Sequence, residues 1–174
     1  SVTEIRVGWS RAASGCVEER VNTPEQRATL RRLVRRQRGV LSLEQARAAG
    51  LSDDTVRRKV ISRSWWPAGP RTYRVGEHDE TPASHIWAAM LSLGDDAVLV
   101  GRSAAWWWGF LDVAPACVEV AVGREHQPRP REGVLLVRRA VDPVDRTRVD
   151  GLAVTTRATT VLDAAVSLGL DEGA

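Results

Sequence analysis

The chain has 174 residues, 43% of them apolar and 27% charged, and a formal net charge of +3, the balance of a folded globular protein rather than a disordered one. No apolar stretch reaches the roughly 20 residues that span a bilayer, and the first residues contain no uninterrupted hydrophobic signal segment, so the expected compartment is the cytoplasm. Two isolated cysteines, Cys16 and Cys117, exclude a disulfide framework and a four-ligand zinc site, and neither a metal nor a cofactor is expected.

Of the 25 basic residues 24 are Arg, and their placement says more than their number. Residues 24–75 hold 13 Lys/Arg against 4 acids, a local net of +9 that leaves −6 for the rest. Segregation of this kind is the footprint of a face that meets a polyanion, because neutralised phosphates release their counterions on binding. A solvated basic face is the competing reading.

Residues 1–22 show neither helical nor strand periodicity and are read as a flexible arm, with Trp9 as its one large apolar group. Thr23-Pro24-Glu25-Gln26 then combines an N-cap, a proline at the first helical position and a capping-box Gln. A helix follows, with Leu30, Leu33, Val34 and Gln37 on one stripe, Arg31, Arg32, Arg35 and Arg36 on the other, and Gly39 as its stop. Ser42-Leu43-Glu44-Gln45 repeats the capping box and opens a two-turn helix that ends at Gly50. After Leu51-Ser52, the acids Asp53 and Asp54 suit the start of a third helix running to Arg63. Two short helices joined by a glycine-containing turn form a helix-turn-helix, whose second helix enters the major groove.

At 100° per residue, Val56 and Val60 point inward on that helix while Asp54, Thr55, Arg58 and Ser62 point away. Arg58 is the expected base contact, and Arg57 and Lys59 on the flanks suit phosphates. Ser52, Thr55, Ser62 and Arg63 complete the expected contact face; an amphipathic helix with a solvated basic side is the alternative. Trp65 to Val75 reads as two strand-like runs about a Gly69-Pro70 turn, the ribbon of a winged helix, with Arg71 and Arg74 as its cations. Trp65 and Tyr73 are expected to pack that ribbon on the helices.

Beyond residue 78 a mixed α/β pattern is expected. Thr81-Pro82 opens a helix to Gly94, Val98–Val100 is a short strand, and Ser103 starts a helix through Trp106, Trp107 and Trp108. Val118–Val122 and Val134–Val137 read as strands on either side of a loop from Gly123 to Gly133. Asp150-Gly151 is a hairpin turn, and Thr156–Leu168 a final helix. Three consecutive helical tryptophans fan over about 200° and cannot all face one core, so Trp107 is the expected partner-facing residue. The overall expectation is an α+β protein: an arm over 1–22, a winged helix over 23–77 and a small α/β domain over 78–174.

Catalytic patterns are missing. There is no Gly-rich phosphate loop, His-Glu-x-x-His, Cys-x-x-Cys or Gly-x-Ser-x-Gly. His78, His85 and His126 are separated in sequence, and with Lys59 the only lysine no nuclease lysine lies outside the basic region. No catalytic residues are assigned, and the chain is not read as an enzyme.

The succession Arg36-Gln37-Arg38-Gly39-Val40-Leu41-Ser42, Ala49-Gly50-Leu51-Ser52, Arg71-Thr72-Tyr73 and Gly101-Arg102-Ser103-Ala104-Ala105-Trp106-Trp107-Trp108-Gly109 resembles the AbiEi-type antitoxin family. The likeness covers about residues 24–168, through Asp150-Gly151-Leu152-Ala153-Val154-Thr155 and Arg157-Ala158-Thr159-Thr160-Val161-Leu162-Asp163. It departs from the family at Arg71, where such proteins often have Gly. The resemblance implies a nucleoid-associated winged-helix repressor of its own promoter, of a type IV toxin–antitoxin operon, and a second domain that counteracts a nucleotidyltransferase-like toxin. A homodimer on repeated half-sites about one helical turn apart is the matching DNA-bound form. Similar N-terminal regions also precede very-short-patch-repair-like endonuclease domains, so a module of a divided or truncated nuclease, or a non-specific architectural protein, is the alternative.

Overall fold

The computed structural model describes residues 23–125 and 131–171, in an α+β arrangement; the expected arm with Trp9 and Cys16, and His126 of the Gly123–Gly133 loop, lie outside the described residues. The first half runs α1 (Pro24–Arg36), β1 (Val40–Ser42), α2 (Leu43–Ala48), α3 (Asp53–Ile61), β2 (Trp65–Gly69) and β3 (Thr72–Val75). Both capping boxes close as their spacing predicts: Thr23 accepts from the Gln26 backbone and Ser42 from that of Gln45, while each Gln returns a bond to the cap N–H. Two left-handed residues, Arg38 at φ +53 and Gly39 at φ +89, turn the chain out of α1, and the Gly39 N–H closes on the Val34 carbonyl.

β1 is the element that periodicity does not announce. It pairs antiparallel with β3, which pairs in turn with β2, giving a three-stranded sheet of order β1-β3-β2. Its pleat sends neighbouring residues to opposite sides. Leu41 packs with Val34, Ala46, Leu51, Val56 and Trp65, whereas Val40 packs with Ile86, Trp87 and Leu99 of the second half. A three-residue strand thus forms a wall common to two cores.

The second half comprises α4 (Pro82–Leu93), β4 (Val98–Leu99), α5 (Gly101–Trp107), β5 (Val118–Val122), β6 (Val134–Arg138), β7 (Arg146–Val149), β8 (Leu152–Thr155) and α6 (Arg157–Asp171). Its five strands lie in the order β6-β5-β4-β8-β7, with β4–β8 and β5–β6 parallel and β4–β5 and β7–β8 antiparallel. Asp150 at φ +50 and Gly151 at φ +94 make the two-residue β7–β8 turn, the geometry that favours Asp-Gly. Helix α4 packs against β1, β2 and β3 as well as β5, so the expected boundary near residue 77 is crossed by apolar contact.

Two local differences have simple causes. Helix α5 starts at Gly101 rather than Ser103, because the Ser103 hydroxyl, fully buried, bonds β5 instead: it donates to the Cys117 carbonyl at 3.3 Å and accepts the Glu119 N–H at 2.9 Å. Within the polar stretch before β7, Asp142 caps a 3-10 turn over Pro143–Asp145 that sequence periodicity cannot show in three residues.

Candidate nucleic-acid interface

Helices α2 and α3 are joined by four residues, Ala49 to Ser52, with Gly50 at φ +85. Across this turn Arg47 makes two parallel bonds to Asp53, at 2.7 and 2.6 Å, and the same bonds hold the Asp53 carboxyl below its ordinary range. The pair spans the turn and ties the start of α3 to the last turn of α2. Val56 is buried and Val60 half-buried, while Asp54, Arg58 and Ser62 are exposed as the helical wheel expects; Thr55, expected to point away, is half-buried, and Arg57, expected on the flank, is exposed.

Along the outer face a row of side chains is tied together. Ser52 caps α3 through the Thr55 N–H, its hydroxyl lies 2.9 Å from that of Thr55, and Arg58 donates to the Thr55 hydroxyl at 3.2 Å. Arg58 is therefore an oriented donor fork rather than a loose chain. Lys59, on the flank, places its ammonium 5.5 Å from the centre of the Trp65 ring. Ser62 bonds the Lys59 carbonyl and the Ser64 hydroxyl, and Arg63, at φ +55, turns the chain from α3 into β2.

The ribbon cations have other partners. Arg71 sits in the β2–β3 turn at φ +52, the left-handed region that favours glycine, and it pairs with Glu44 at 2.7 Å. Arg74 lies at the seam with the second half, donating to the His78 carbonyl at 2.8 Å and facing Glu80 at 3.7 Å. Glu80 in turn is 2.7 Å from His85, and that bond lowers its carboxyl from the ordinary value. Arg131 braces the same seam through the Ala68 carbonyl and Ser92, and burial lowers its guanidinium from its ordinary value.

Helix α1 carries further cations, of which the sequence places Arg31 and Arg35 on the stripe opposite Leu30, Leu33 and Val34 and gives Arg27 no role. Arg27, Arg31 and Arg35 follow one another at four-residue steps and line a groove of about 400 Å³ whose other side is formed by Lys59 at the flank of α3, Trp65, Val75, Glu77 and His78. Like charges at this spacing oppose the helix by a few tenths of a kcal/mol per pair. The signal was legible in the sequence as an i, i+4, i+8 repeat of arginine, but which side of α3 it joins depends on tertiary packing.

The tryptophan run is accommodated without a single outcast. Trp106, Trp107 and Trp108 are all half-buried; the Trp107 indole N–H donates to the Val149 carbonyl at 3.2 Å and that of Trp108 to the Thr155 carbonyl at 3.0 Å. Trp108 is further covered by Arg157, 4.8 Å from its ring centre, and stacks on Phe110. The exposed large apolar residues of this region are instead Phe110 and, on α6, Val161, Leu162 and Val166.

Among the described residues no group of three His, Cys, Asp or Glu is placed to hold a metal, and no helix is long and apolar enough to cross a membrane. Residues 96–169, which hold α5, the five-stranded sheet and most of α6, match the AbiEi antitoxin C-terminal domain family, a regulatory rather than catalytic family of toxin–antitoxin systems. No curated protein matches the chain. Among solved structures, the RV2827C protein from Mycobacterium tuberculosis is similar at 20% identity and a TM-score of 0.43, over 70% of this chain and 47% of that one. The chain thus spans about half the length of that protein.

Proposed function

We propose that this chain is a sequence-preferring DNA-binding repressor of a toxin–antitoxin operon, with residues 23–77 as a winged helix and residues 78–174 as the antitoxin domain. The observation that carries the reading is the tethered row Ser52–Thr55–Arg58 on α3, a helix tied to α2 by the Arg47–Asp53 pair. Pre-orientation matters because a donor fork held in place loses less freedom when it meets a guanine edge than a free arginine does. Arg57, Lys59, Ser62 and Arg63 flank the row as phosphate contacts, and Arg71 reaches backbone once its exposed pair with Glu44 opens. Such an exposed pair is worth at most about 1 kcal/mol. Arg74 positions the ribbon from behind. Duplex DNA of the promoter is the partner, bound by a homodimer.

The test is binding of the purified protein to a duplex of its own upstream region and to a shuffled duplex, at two salt concentrations. A clear preference for the native duplex is expected, and Arg58→Ala is expected to remove about 1–3 kcal/mol of it, the discrimination of one bidentate base contact. Equal weakening of the variant on both duplexes would move Arg58 to the phosphates; equal wild-type binding would leave an architectural or nuclease-accessory module.

The partner implied by the antitoxin family is a toxin, and we assign its docking surface to Phe110 and the apolar strip of α6, where Leu162 is 69% and Val166 65% exposed. Trp107 contributes its free ring edge at most, since its N–H is already bonded. The double variant L162D/V166D is expected to keep promoter binding and lose rescue of cells expressing the neighbouring toxin-like gene. Retained rescue would remove the strip from the interface.

A further inference from the structure

We infer that the groove along α1, which reaches the flank of α3 at Lys59, is a track for the phosphate backbone of the same duplex, so that α1 grips the DNA whose bases α3 faces. The inference rests on the proposed role of α3, and its experiment separates the two. Arg27, Arg31 and Arg35 line one side of the groove, and Lys59 stands opposite with Trp65, Val75 and His78, against Glu77 as the carboxylate among the described lining residues. No ion pair among the described residues engages those three arginines, whereas the ribbon cations Arg71 and Arg74 face Glu44 and Glu80.

Three features select a continuous polyanion rather than a single anion. First, the arginines advance about 6 Å per step along the α1 axis, so they extend over a length that one phosphate cannot occupy. A duplex strand carries a charge about every 3.4 Å of axis, within reach of such long side chains. Second, like charges stand four residues apart along the array, and Arg27 lies toward the positive end of the helix dipole, although Arg35 in the last turn is favoured by it. A polyanion relieves both. Third, Lys59 belongs to α3 and lines this groove from the flank of the reading face, so a backbone running past α3 is led from Lys59 onto α1.

The test is the salt dependence of binding by the full chain to the native and shuffled duplexes. Each neutralised phosphate contributes about 0.9 to the slope of log affinity against log salt. The variant R27Q/R31Q/R35Q is expected to flatten that slope by between two and three on both duplexes and to leave their affinity ratio unchanged, whereas R58A changes the ratio. The charge-preserving R27K/R31K/R35K is expected to keep the wild-type slope, with circular dichroism confirming that both variants fold. An unchanged slope in the Gln variant overturns the track, as does a Lys variant that loses as much slope as the Gln one. If the wild type binds both duplexes equally but the Gln variant still flattens the slope, the track stands and sequence-specific reading by α3 falls. No wild-type binding to either duplex overturns both.

Discussion

Replacing Leu41 with Ala is expected to lower the unfolding free energy by about 2–5 kcal/mol, the usual loss for a leucine deleted from a core that cannot collapse around the void. Leu41 is completely buried, and its neighbours come from every element of the first half: Val34 of α1, Ala46 of α2, Val56 of α3 and Trp65 of β2. Collapse is resisted because β1 is hydrogen-bonded to β3 on one side and carries Val40 into the other core on its opposite face. The loss should therefore be felt beyond the first half. Chemical denaturation followed by tryptophan fluorescence would report Trp65 in one core and Trp87 in the other. A single transition shifted as a whole is the expected result; a first-half transition that moves alone would show that the wall does not couple the two cores. DNA binding should weaken in parallel with the population unfolded, with no change in sequence preference, since Leu41 packs on the buried side of α3 and not on its exposed face.

β1 also shows where sequence reading stops. Both capping boxes, the proline starts of α1 and α4 and the Asp150-Gly151 hairpin are local agreements between a few adjacent residues, and each was legible. A strand of three residues has no period to detect, and Ser42 serves at once as its last residue and as the cap of α2, so the capping signal hides the strand signal. The same limit applies to side chains whose partners are distant. Much of the outward face of α3 followed from geometry at 100° per residue, but nothing near Trp107 in sequence announces the Val149 carbonyl, and nothing near Trp108 the Thr155 carbonyl. The sheet order β6-β5-β4-β8-β7 is likewise a property of long-range pairing. The arginine array of α1 is an intermediate case, since its repeat is visible and its groove is not.

Gly101→Ala is expected to cost about 2–4 kcal/mol, the sum of a left-handed backbone imposed on an L-residue and the loss of a buried cap. Gly101 opens α5 at φ +55, and a methyl group there would land on Oε2 of Glu119. That oxygen accepts the Arg102 N–H at 3.1 Å, so the carboxylate serves the exposed donors at the start of a helix whose N-cap, Val100, has no side chain to offer. Glu119 is itself only 9% exposed and is fixed by the Ser103 hydroxyl through its backbone N–H, which leaves it little room to withdraw. Gly109 supplies the control. It has φ +76 but open space where a Cβ would stand, so Gly109→Ala should show the backbone cost alone. At about 2–4 °C per kcal/mol for a chain of this length, Gly101→Ala should melt several degrees below Gly109→Ala. Equal melting temperatures would mean that the Glu119 carboxylate moves aside freely, and the Gly-Arg-Ser run would then owe its place at the start of α5 to backbone conformation and not to the cap.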